Sequence, residues 1–334
     1  MANTGLEKRL EELRANFASL TGAPFKHFFC PVLFVDEDVA LCKGHVVNQA
    51  FPNSTRRWTV QREDVDSFYG SHFEADFQAL LYREGGTPAS VLFDKKLSRS
   101  FDVSITADGE PVDYYLTKGD IPKRFTGFKF HKDNGDSVLL GLKMDPTSAL
   151  EKADRQWEMQ VSKDIRIPAL VSLIKAGYLT LFSMLGYRYA LSVDGLLVGS
   201  HVLGQFFKRN IGKPKQAVLD DAREFFGACA HMVRPVPKTK LQFAGTVADG
   251  NMFLCRSFSG EPWAVVVFIR TSQQLHAVLL PLTESEAAYR AFVSFLHNDE
   301  TTLHANFLKF ERDHWTTNPK PVTLEWPKGE ALLE

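Results

Sequence analysis

Apolar residues near the start of the chain recur every three or four positions, with charged residues between them. They are Leu6, Leu10, Leu13 and Phe17. Because this spacing places all four on one side of a helix, it predicts an amphipathic helix. Gly22-Ala23-Pro24 supplies the signal that ends it.

Two short apolar runs, 28–34 and 39–47, come next and are separated by Asp36-Glu37-Asp38. This pattern predicts a β-hairpin with an acidic turn. After a polar loop at 52–57, the apolar residues between 60 and 81 return to helical spacing. The predicted local order is therefore hairpin, loop and helix.

Short apolar runs bounded by turn residues predict antiparallel strands before residue 147. These runs are 90–93, 101–106, 112–116, 125–131 and 137–144. Helical spacing dominates residues 147–235. Four further strands are predicted at 241–247, 252–258, 263–269 and 275–280, and helices at 284–296 and 302–313.

These elements predict an α+β fold with an N-terminal hairpin-loop-helix module, antiparallel sheets and a central helical block. The length of 334 residues fits two domains. We place the N-terminal module and its leading helix at 1–95 and an α+β body at 96–334. The body divides into a sheet at 96–146, the helical block at 147–235, and a sheet plus helices at 236–334.

The charges of the chain are balanced, with 39 Lys and Arg against 40 Asp and Glu. Because no global field attracts polyanions, any nucleic-acid binding must use a local patch. The most apolar stretch, 168–191, contains Lys175 and Arg188, which favours a buried helix over a membrane span. We therefore expect no membrane partner.

The chain has four cysteines, which are too few for a disulfide scaffold at this length and fit free thiols. Its first residues contain no apolar core of a signal peptide. Together these features predict a cytoplasmic protein. The glycines at 195–204 match neither a P-loop nor a dinucleotide fingerprint, so we expect no nucleotide cofactor.

Residues 25–80 carry three short matches in the order of a zinc-knuckle HNH nuclease. Cys30-Pro31 matches the start of the CPxC knuckle, His45-Val46-Val47 the end of the hairpin, and Phe68-Tyr69-Gly70 the helix entry. The segment resembles a degenerate HNH endonuclease-like, or treble-clef, module of uncharacterised bacterial proteins. The resemblance implies nucleic-acid binding, with metal-dependent phosphodiester cleavage as a residual activity.

The same resemblance assigns roles to two residues, and the sequence departs from the family pattern at four positions. It implies that His45 is the general base and that Asp66 is a ligand of Mg²⁺ or Mn²⁺. Leu33, Arg62 and Val65 stand where the other three knuckle cysteines would be, so the structural zinc of the family is not expected. Gly44 replaces the metal ligand that usually precedes the hairpin histidine.

A second interpretation of the segment needs no family. His27-x2-Cys30 and Cys42-x2-His45 are two ligand pairs that together match a tetrahedral zinc site. The alternative is that Cys30 and Cys42 are buried apolar residues on facing strands. For His45 the alternative is an imidazole that is hydrogen-bonded to a neighbouring carbonyl and has no further function.

Charged residues around the predicted helix also allow two interpretations. Asp66 and Glu74 can share a helix face about two turns apart, either as metal ligands or as a solvated acidic face. A basic and aromatic group precedes the helix and suits phosphate contact and base stacking, or ion pairing with acidic residues. Its members are Arg56, Arg57, Trp58 and Arg62.

Two functional hypotheses follow from these features. The first is a nucleic-acid-binding protein with a metal-dependent HNH-like site, in which Mg²⁺, Mn²⁺ or Zn²⁺ is the cofactor. The alternative is a non-catalytic interaction or scaffold protein, in which the module is vestigial and the Phe-rich sheets contact a protein partner or a second copy. The neutral net charge favours the alternative.

Overall fold

A computed structural model shows two compact units, Met1–Gln78 with Ile165–Glu334, and Ala79–Asp164. The structure describes residues 4–49, 51, 57–78, 102–118, 127–131, 137–143, 157–162, 165–236, 251–256, 260–271, 274–283, 285–297, 302–311 and 314–326. Helices and antiparallel sheets are both prominent, so the predicted α+β class is confirmed.

The N-terminal elements follow one another closely. Helix α1 is Thr4–Thr21, and Gly22 after it adopts a left-handed conformation with φ 84°. Strands β1 and β2 form an antiparallel pair that leads directly into α2, a π-helical turn and α3. Their bounds are Leu41–His45 for β1, Trp58–Arg62 for β2, Glu63–Tyr69 for α2, Gly70–Glu74 for the π-helical turn and Ala75–Phe77 for α3.

The predicted hairpin between 28–34 and 39–47 is wrong. Strand β1 pairs with β2, with Cys42 opposite Gln61 and His45 opposite Trp58. Residues 28–34 instead form a tight turn, in which the Phe34 amide donates to the Cys30 carbonyl at 2.9 Å and Phe34 has a positive φ. Pro31 has no amide hydrogen to donate to a strand ladder, which favours the turn over a strand.

The unit Ala79–Asp164 contains two small antiparallel sheets. One has the order β4-β3-β8 and the other β5-β7-β6. The strands are β3 Asp102–Ala107, β4 Glu110–Pro111, β5 Tyr114–Lys118, β6 Gly127–His131, β7 Ser137–Leu142 and β8 Trp157–Ser162. The strand predicted at 90–93 lies outside the described residues.

Strand β8 falls inside the region predicted to be helical, and that part of the prediction is wrong. Its sequence, WEMQVS, places apolar residues at every second position, which is the period of a strand. All six of its residues pair with β3. In the described part of this block, the first helix begins at Arg166.

The helical block contains a long helix followed by shorter segments. These are α4 Arg166–Leu185, α5 Tyr187–Ala190, α6 Val193–Leu196, a π-helical segment Leu197–Gly204, α7 Gln205–Asn210, α8 Lys215–Phe225 and a 3-10 turn Gly227–Met232. Helix α4 is long and apolar enough to cross a membrane, but 83% of its most apolar 18-residue stretch is buried inside the protein. The prediction of a buried helix here is confirmed.

Six of the described strands form an antiparallel sheet in the order β14-β13-β10-β11-β12-β9. They are β9 Val233–Val236, β10 Met252–Arg256, β11 Pro262–Thr271, β12 Gln274–Pro281, β13 Thr302–Glu311 and β14 His314–Glu325. Helix α9, Glu286–His297, confirms the helix predicted at 284–296 and packs against β11. The strand predicted at 241–247 lies outside the described residues.

The helix predicted at 302–313 is wrong, because this segment is strand β13. Leu303 and Ala305 are buried while Thr302 and His304 are exposed, so burial follows a period of two. The strand pairs with both β10 and β14. Pairing partners distant in sequence therefore decided the structure of a segment whose local pattern was ambiguous.

The two units divide the chain differently from the predicted boundary at residue 95. Residues 1–78 share a unit with residues 165–334, and residues 79–164 form the other unit. The physical reason is packing, since α4 contacts β2, the π-helical turn and α3 as well as strands β11 and β12. Strand β2, the helical segment that follows it and the large sheet thus pack against the same helix.

A buried histidine lies in this unit on β12. His276 is 3% exposed, and its Nε2 lies 2.8 Å from the hydroxyl of fully buried Thr271. Its Nδ1 has no hydrogen-bond partner among the described residues. Burial lowers the pKa of His276 to about 3, so the ring is neutral in the folded protein near pH 7.

We expect His276 to make the protein less stable in mild acid. The folded pKa lies below the ordinary value of 6.5, so the unfolded chain binds a proton first and stability falls as the pH drops from 6.5 toward 3. Between pH 7 and pH 5 this contributes a loss of about 2 kcal/mol. Urea unfolding at both pH values should show a smaller loss in His276→Gln than in wild type. An equal loss in both proteins would contradict the expectation.

Candidate functional site

The β1–β2 hairpin lies between α1 on one side and α2 and α4 on the other. Alternate residues of β1 point in opposite directions. The Lys43 ammonium reaches the first turn of α1, 3.4 Å from the position that a Cβ on Gly5 would take. Cys42 points to the other side, where its thiol donates a hydrogen bond to Asp66 of α2 at 3.8 Å.

A buried lysine lies on the side of the β1–β2 pair that carries Cys42. Lys175 of α4 is 1% exposed, and its ammonium donates to Asp66 Oδ1 at 3.0 Å and to Glu74 Oε1 at 2.7 Å. The ammonium also lies over the ring of Tyr69, 5.6 Å from the centroid. We call Lys175, Asp66, Glu74 and Cys42 the lysine cluster.

The electrostatics of the lysine cluster keep the amine charged. Burial lowers the pKa of Lys175, but Glu74 and Asp66 raise it by more, so the net pKa lies above its ordinary value. Burial and the neighbouring Asp66 carboxylate raise the pKa of Cys42 to about 12, so the thiol stays protonated. The cluster therefore contains one fixed positive charge facing two carboxylates.

The π-helical turn explains how both carboxylates reach one ammonium. Eight residues of regular α-helix overshoot two full turns by about 80°. The wider turn at Gly70–Glu74 reduces this offset between Asp66 and Glu74. The bonds to Lys175 show that these two side chains bind one ammonium instead of forming a solvated acidic face.

Gln61 and Thr59 of β2 add buried polar groups on the side of the hairpin that carries Cys42. Gln61 is 3% exposed and Thr59 is fully buried. Neither amide atom of Gln61 nor the hydroxyl of Thr59 has a hydrogen-bond partner among the described residues. The Gln61 amide fills the space beside Gly44, because a Cβ at residue 44 would lie 1.8 Å from its nitrogen.

Backbone and thiol hydrogen bonds close the turn at Cys30. The Leu33 amide donates to Cys30 Sγ at 3.4 Å, and the Cys30 amide donates to the Val35 carbonyl at 2.9 Å. Tyr178 of α4 donates to the Pro31 carbonyl at 2.6 Å, and Tyr187 donates to the Phe29 carbonyl. Phenol hydroxyls from the helical block therefore hold this turn in place.

The groups around Cys30 are apolar or internally paired. Leu33 and Val65 are buried hydrophobic residues. Arg62 donates to Glu37 at 2.5 Å and to both oxygens of Asp64 at 2.8 and 3.1 Å, and its bonds to Asp64 raise its pKa. Burial raises the pKa of Cys30 to about 11. The cysteine is thus a buried protonated thiol.

The predicted metal ligands do not meet in one place. No group of three or more His, Cys, Asp or Glu side chains in the described part of the chain is arranged to hold a metal ion. His27 lies 4.0 Å from Asp38, and the ring of His45 lies beside the Gln49 amide. Of the proposed ligands, the structure places Cys42 and Asp66 in direct contact.

The predicted phosphate contacts are divided between several environments. Arg62 is committed to Glu37 and Asp64, which corresponds to the ion-pair alternative. Trp58 is half-buried under the Lys43 ammonium, which lies 5.0 Å from its ring, and Arg57 is half-buried beside it in the chain. Arg56 lies outside the described residues.

The resident metal implied by the HNH resemblance does not fit the described residues. Gly44 offers no ligand, and Gln61 fills the space where a side chain at residue 44 would begin. Asp66 is already bound to an ammonium. Lys175 and Tyr178, which build the site from α4, were missed by the sequence analysis of the site. The available signal was a lysine within an otherwise apolar helix.

Comparison with known proteins finds no family model that matches the chain, no similar curated protein and no similar solved structure.

Replacing Lys175 should destabilise the protein strongly. Lys175→Met leaves Asp66 and Glu74 facing each other without a counter-ion, at a cost of about 3–5 kcal/mol. Lys215→Met is the matched control, because Lys215 is 44% exposed and, among the described residues, pairs with the single carboxylate of Asp76 at 2.8 Å. We expect a smaller cost there, because one carboxylate loses its counter-ion instead of two. Urea unfolding of both variants measures the difference, and equal costs would contradict a central role of Lys175.

Removing the Tyr178 hydroxyl should loosen the Cys30 turn. Tyr178→Phe leaves the Pro31 carbonyl without its phenol donor and should cost about 1–3 kcal/mol. Tyr289→Phe is the control, since Tyr289 is exposed on α9 and should cost little. We also expect faster modification of the Cys30 thiol by a disulfide reagent in Tyr178→Phe. Unchanged stability and unchanged thiol reactivity would show that the phenol does not hold the turn.

Proposed function

We propose that this chain is a non-catalytic interaction or scaffold protein in which the HNH-like module is vestigial. The single observation that supports this proposal most is the lysine cluster. A divalent metal at a nuclease site needs free carboxylates or imidazoles. Here the ammonium of Lys175 already binds both carboxylates that α2 and the π-helical turn present.

The order of elements is compatible with descent from such a module. A knuckle-like turn at Cys30, an antiparallel pair ending in His45 and a helix at Glu63 follow one another. What differs is the interior, because ion pairs, buried apolar residues and phenol hydrogen bonds stand where metal ligands are expected. These replacements stabilise the scaffold but supply no chemistry for phosphodiester cleavage.

The proposed partner is a protein or a second copy of the chain. The balanced net charge gives no general attraction to nucleic acid, and Arg62 is used internally. An interface without phosphate contacts depends little on salt. Light scattering across a concentration series, at low and high salt, therefore tests for self-association that salt does not abolish.

The second candidate function is nucleic-acid binding with cleavage by His45. The observation in its favour is the end of the hairpin, where half-buried His45 lies opposite Trp58 and the Lys43 ammonium lies over the indole ring. Such a basic and aromatic surface suits a single strand. Among the described residues, however, no carboxylate beside His45 is shown in a position to hold Mg²⁺.

Cleavage assays distinguish the two functions. Single- and double-stranded DNA and RNA are incubated with Mg²⁺ or Mn²⁺ and either wild type or His45→Ala. We expect both proteins to give the same background, because no group of three His, Cys, Asp or Glu side chains among the described residues is arranged to hold the metal. Cleavage by wild type that disappears in His45→Ala would overturn the proposal and establish the nuclease.

A further inference from the structure

We propose that the chain forms a dimer in which α1 of one copy packs antiparallel against residues 193–210 of the other. This inference rests on the proposed function, because it names the surface through which a second copy binds. Both helices lie in the unit that contains residues 1–78 and 165–334. Their exposed sides differ in chemistry and complement each other in charge and in apolar character.

Residues 193–210 form one continuous helix with a π-helical middle. The residues that join α6, the π-helical segment and α7 all have right-handed helical backbone angles. Pairs of adjacent residues are buried at regular intervals along this helix, and the residues between the pairs are half-buried or exposed. This period places the exposed residues on one side of the helix, which we call the outer face. It includes Val193, Leu196, Leu197, Gln205, Lys208 and Arg209.

The first half of the outer face is apolar. Val193 is 78% exposed, and Leu196 and Leu197 are half-buried. The nearby carboxylate of Asp194 is buried away from the outer face, where it accepts hydrogen bonds from the amide and the hydroxyl of Thr283. A surface helix ordinarily exposes charged and polar residues. An apolar group without charge is instead typical of the core of a protein–protein interface.

The second half of the outer face is basic. Lys208 and Arg209 are exposed in the last turn of α7, one turn after exposed Gln205. Arg209 also pairs with Asp221 at 2.6 Å, and its side chain is 56% exposed. The outer face therefore changes from apolar at residue 193 to basic at residue 209.

The exposed side of α1 also changes in chemistry along its length. Carboxylates dominate its first half, whereas its second half carries small residues and Leu20, which is 43% exposed. Arg9 and Arg14 pair with two of the carboxylates, but ion pairs at the surface contribute little. The exposed residues of this side before Leu20 are Glu7, Lys8, Glu11, Glu12, Ala15 and Ser19.

Antiparallel packing matches the two sides along their length. Leu20 then meets Val193, and Glu7 meets Lys208. Parallel packing would place Leu20 against Lys208 and the carboxylates against apolar residues, which costs desolvation without a partner. The apolar contacts supply most of the affinity, and the opposite charges set the orientation. Because each copy carries both sides, a two-fold dimer contains this contact twice.

Reversal of charge tests the pairing of the two ends. Gln205→Glu with Lys208→Glu makes the basic end acidic, and Glu7→Lys with Glu11→Lys makes the acidic end basic. All four positions are exposed, so folding should be unaffected. We expect each double variant alone to dimerise at least about tenfold more weakly than wild type, because like charges then face each other. An equimolar mixture of the two should dimerise as wild type does, because each acidic end again faces a basic end.

Two single substitutions test the apolar halves. Val193→Glu places a carboxylate in the first turn of its helix, and Leu20→Lys places a cation in the last turn of α1, which the helix dipole favours in both cases. We expect either change to weaken dimerisation at least about tenfold, because a charge is then buried against an apolar surface. Tyr289→Glu is the control and should dimerise as wild type does, since Tyr289 is 40% exposed on α9 and lies outside both sides.

Sedimentation equilibrium across a concentration series measures dimerisation, and circular dichroism verifies that each variant is folded. Wild type is also mixed with anionic phospholipid vesicles and with a single-stranded oligonucleotide. Monomeric wild type that binds either one, and loses this binding in Gln205→Glu with Lys208→Glu, would assign the outer face to a lipid surface or a nucleic acid and overturn the inference.

The outcomes separate the inference from the proposed function. Wild type that remains monomeric, or a dimer that none of the substitutions weakens, would overturn the inference and leave the proposed function intact. Weakened double variants whose mixture does not regain dimerisation would overturn the antiparallel pairing in the same way. Metal-dependent cleavage that requires His45 would overturn the proposed function and leave the dimer.

Discussion

The buried ion pairs of Lys175 are the interaction on which the N-terminal part of the structure depends. One ammonium from α4 joins Asp66 of α2 to Glu74 of the π-helical turn. A buried charge that loses its partner costs folding free energy, so the fold is most stable when all three groups are in contact. This constraint fixes the position of the hairpin and its helix on α4, and through α4 on strands β11 and β12.

Hydrogen bonds from tyrosines complete the attachment at the knuckle-like turn. Tyr178 and Tyr187 donate to the carbonyls of Pro31 and Phe29, and burial raises the pKa of both phenols, so they remain donors. The helical block orders this turn, so the N-terminal segment depends on residues more than a hundred positions away.

The candidate site follows from the same architecture. The side of the hairpin that carries Cys42 and Gln61 is enclosed by α2 and α4, whereas Lys43, His45 and Trp58 belong to the other side or to its end. The buried ammonium of Lys175 lies on the first side. On the second side, His45 and Trp58 are partly exposed.

The sequence by itself determined the class of the fold, helices α1 and α9 and the buried nature of α4. These features depend on the local spacing of apolar and polar residues along the chain. The tertiary structure decided the partner of β1, the strand character of Trp157–Ser162 and Thr302–Glu311, and the role of Lys175. Strand pairing and buried ion pairs join residues that are far apart in the chain, so no local pattern contains them. The spacing of His27, Cys30, Cys42 and His45 matched a metal site. The buried environment of Cys30 and the ammonium beside Asp66, however, result from the packing of α4 against the hairpin and its helix.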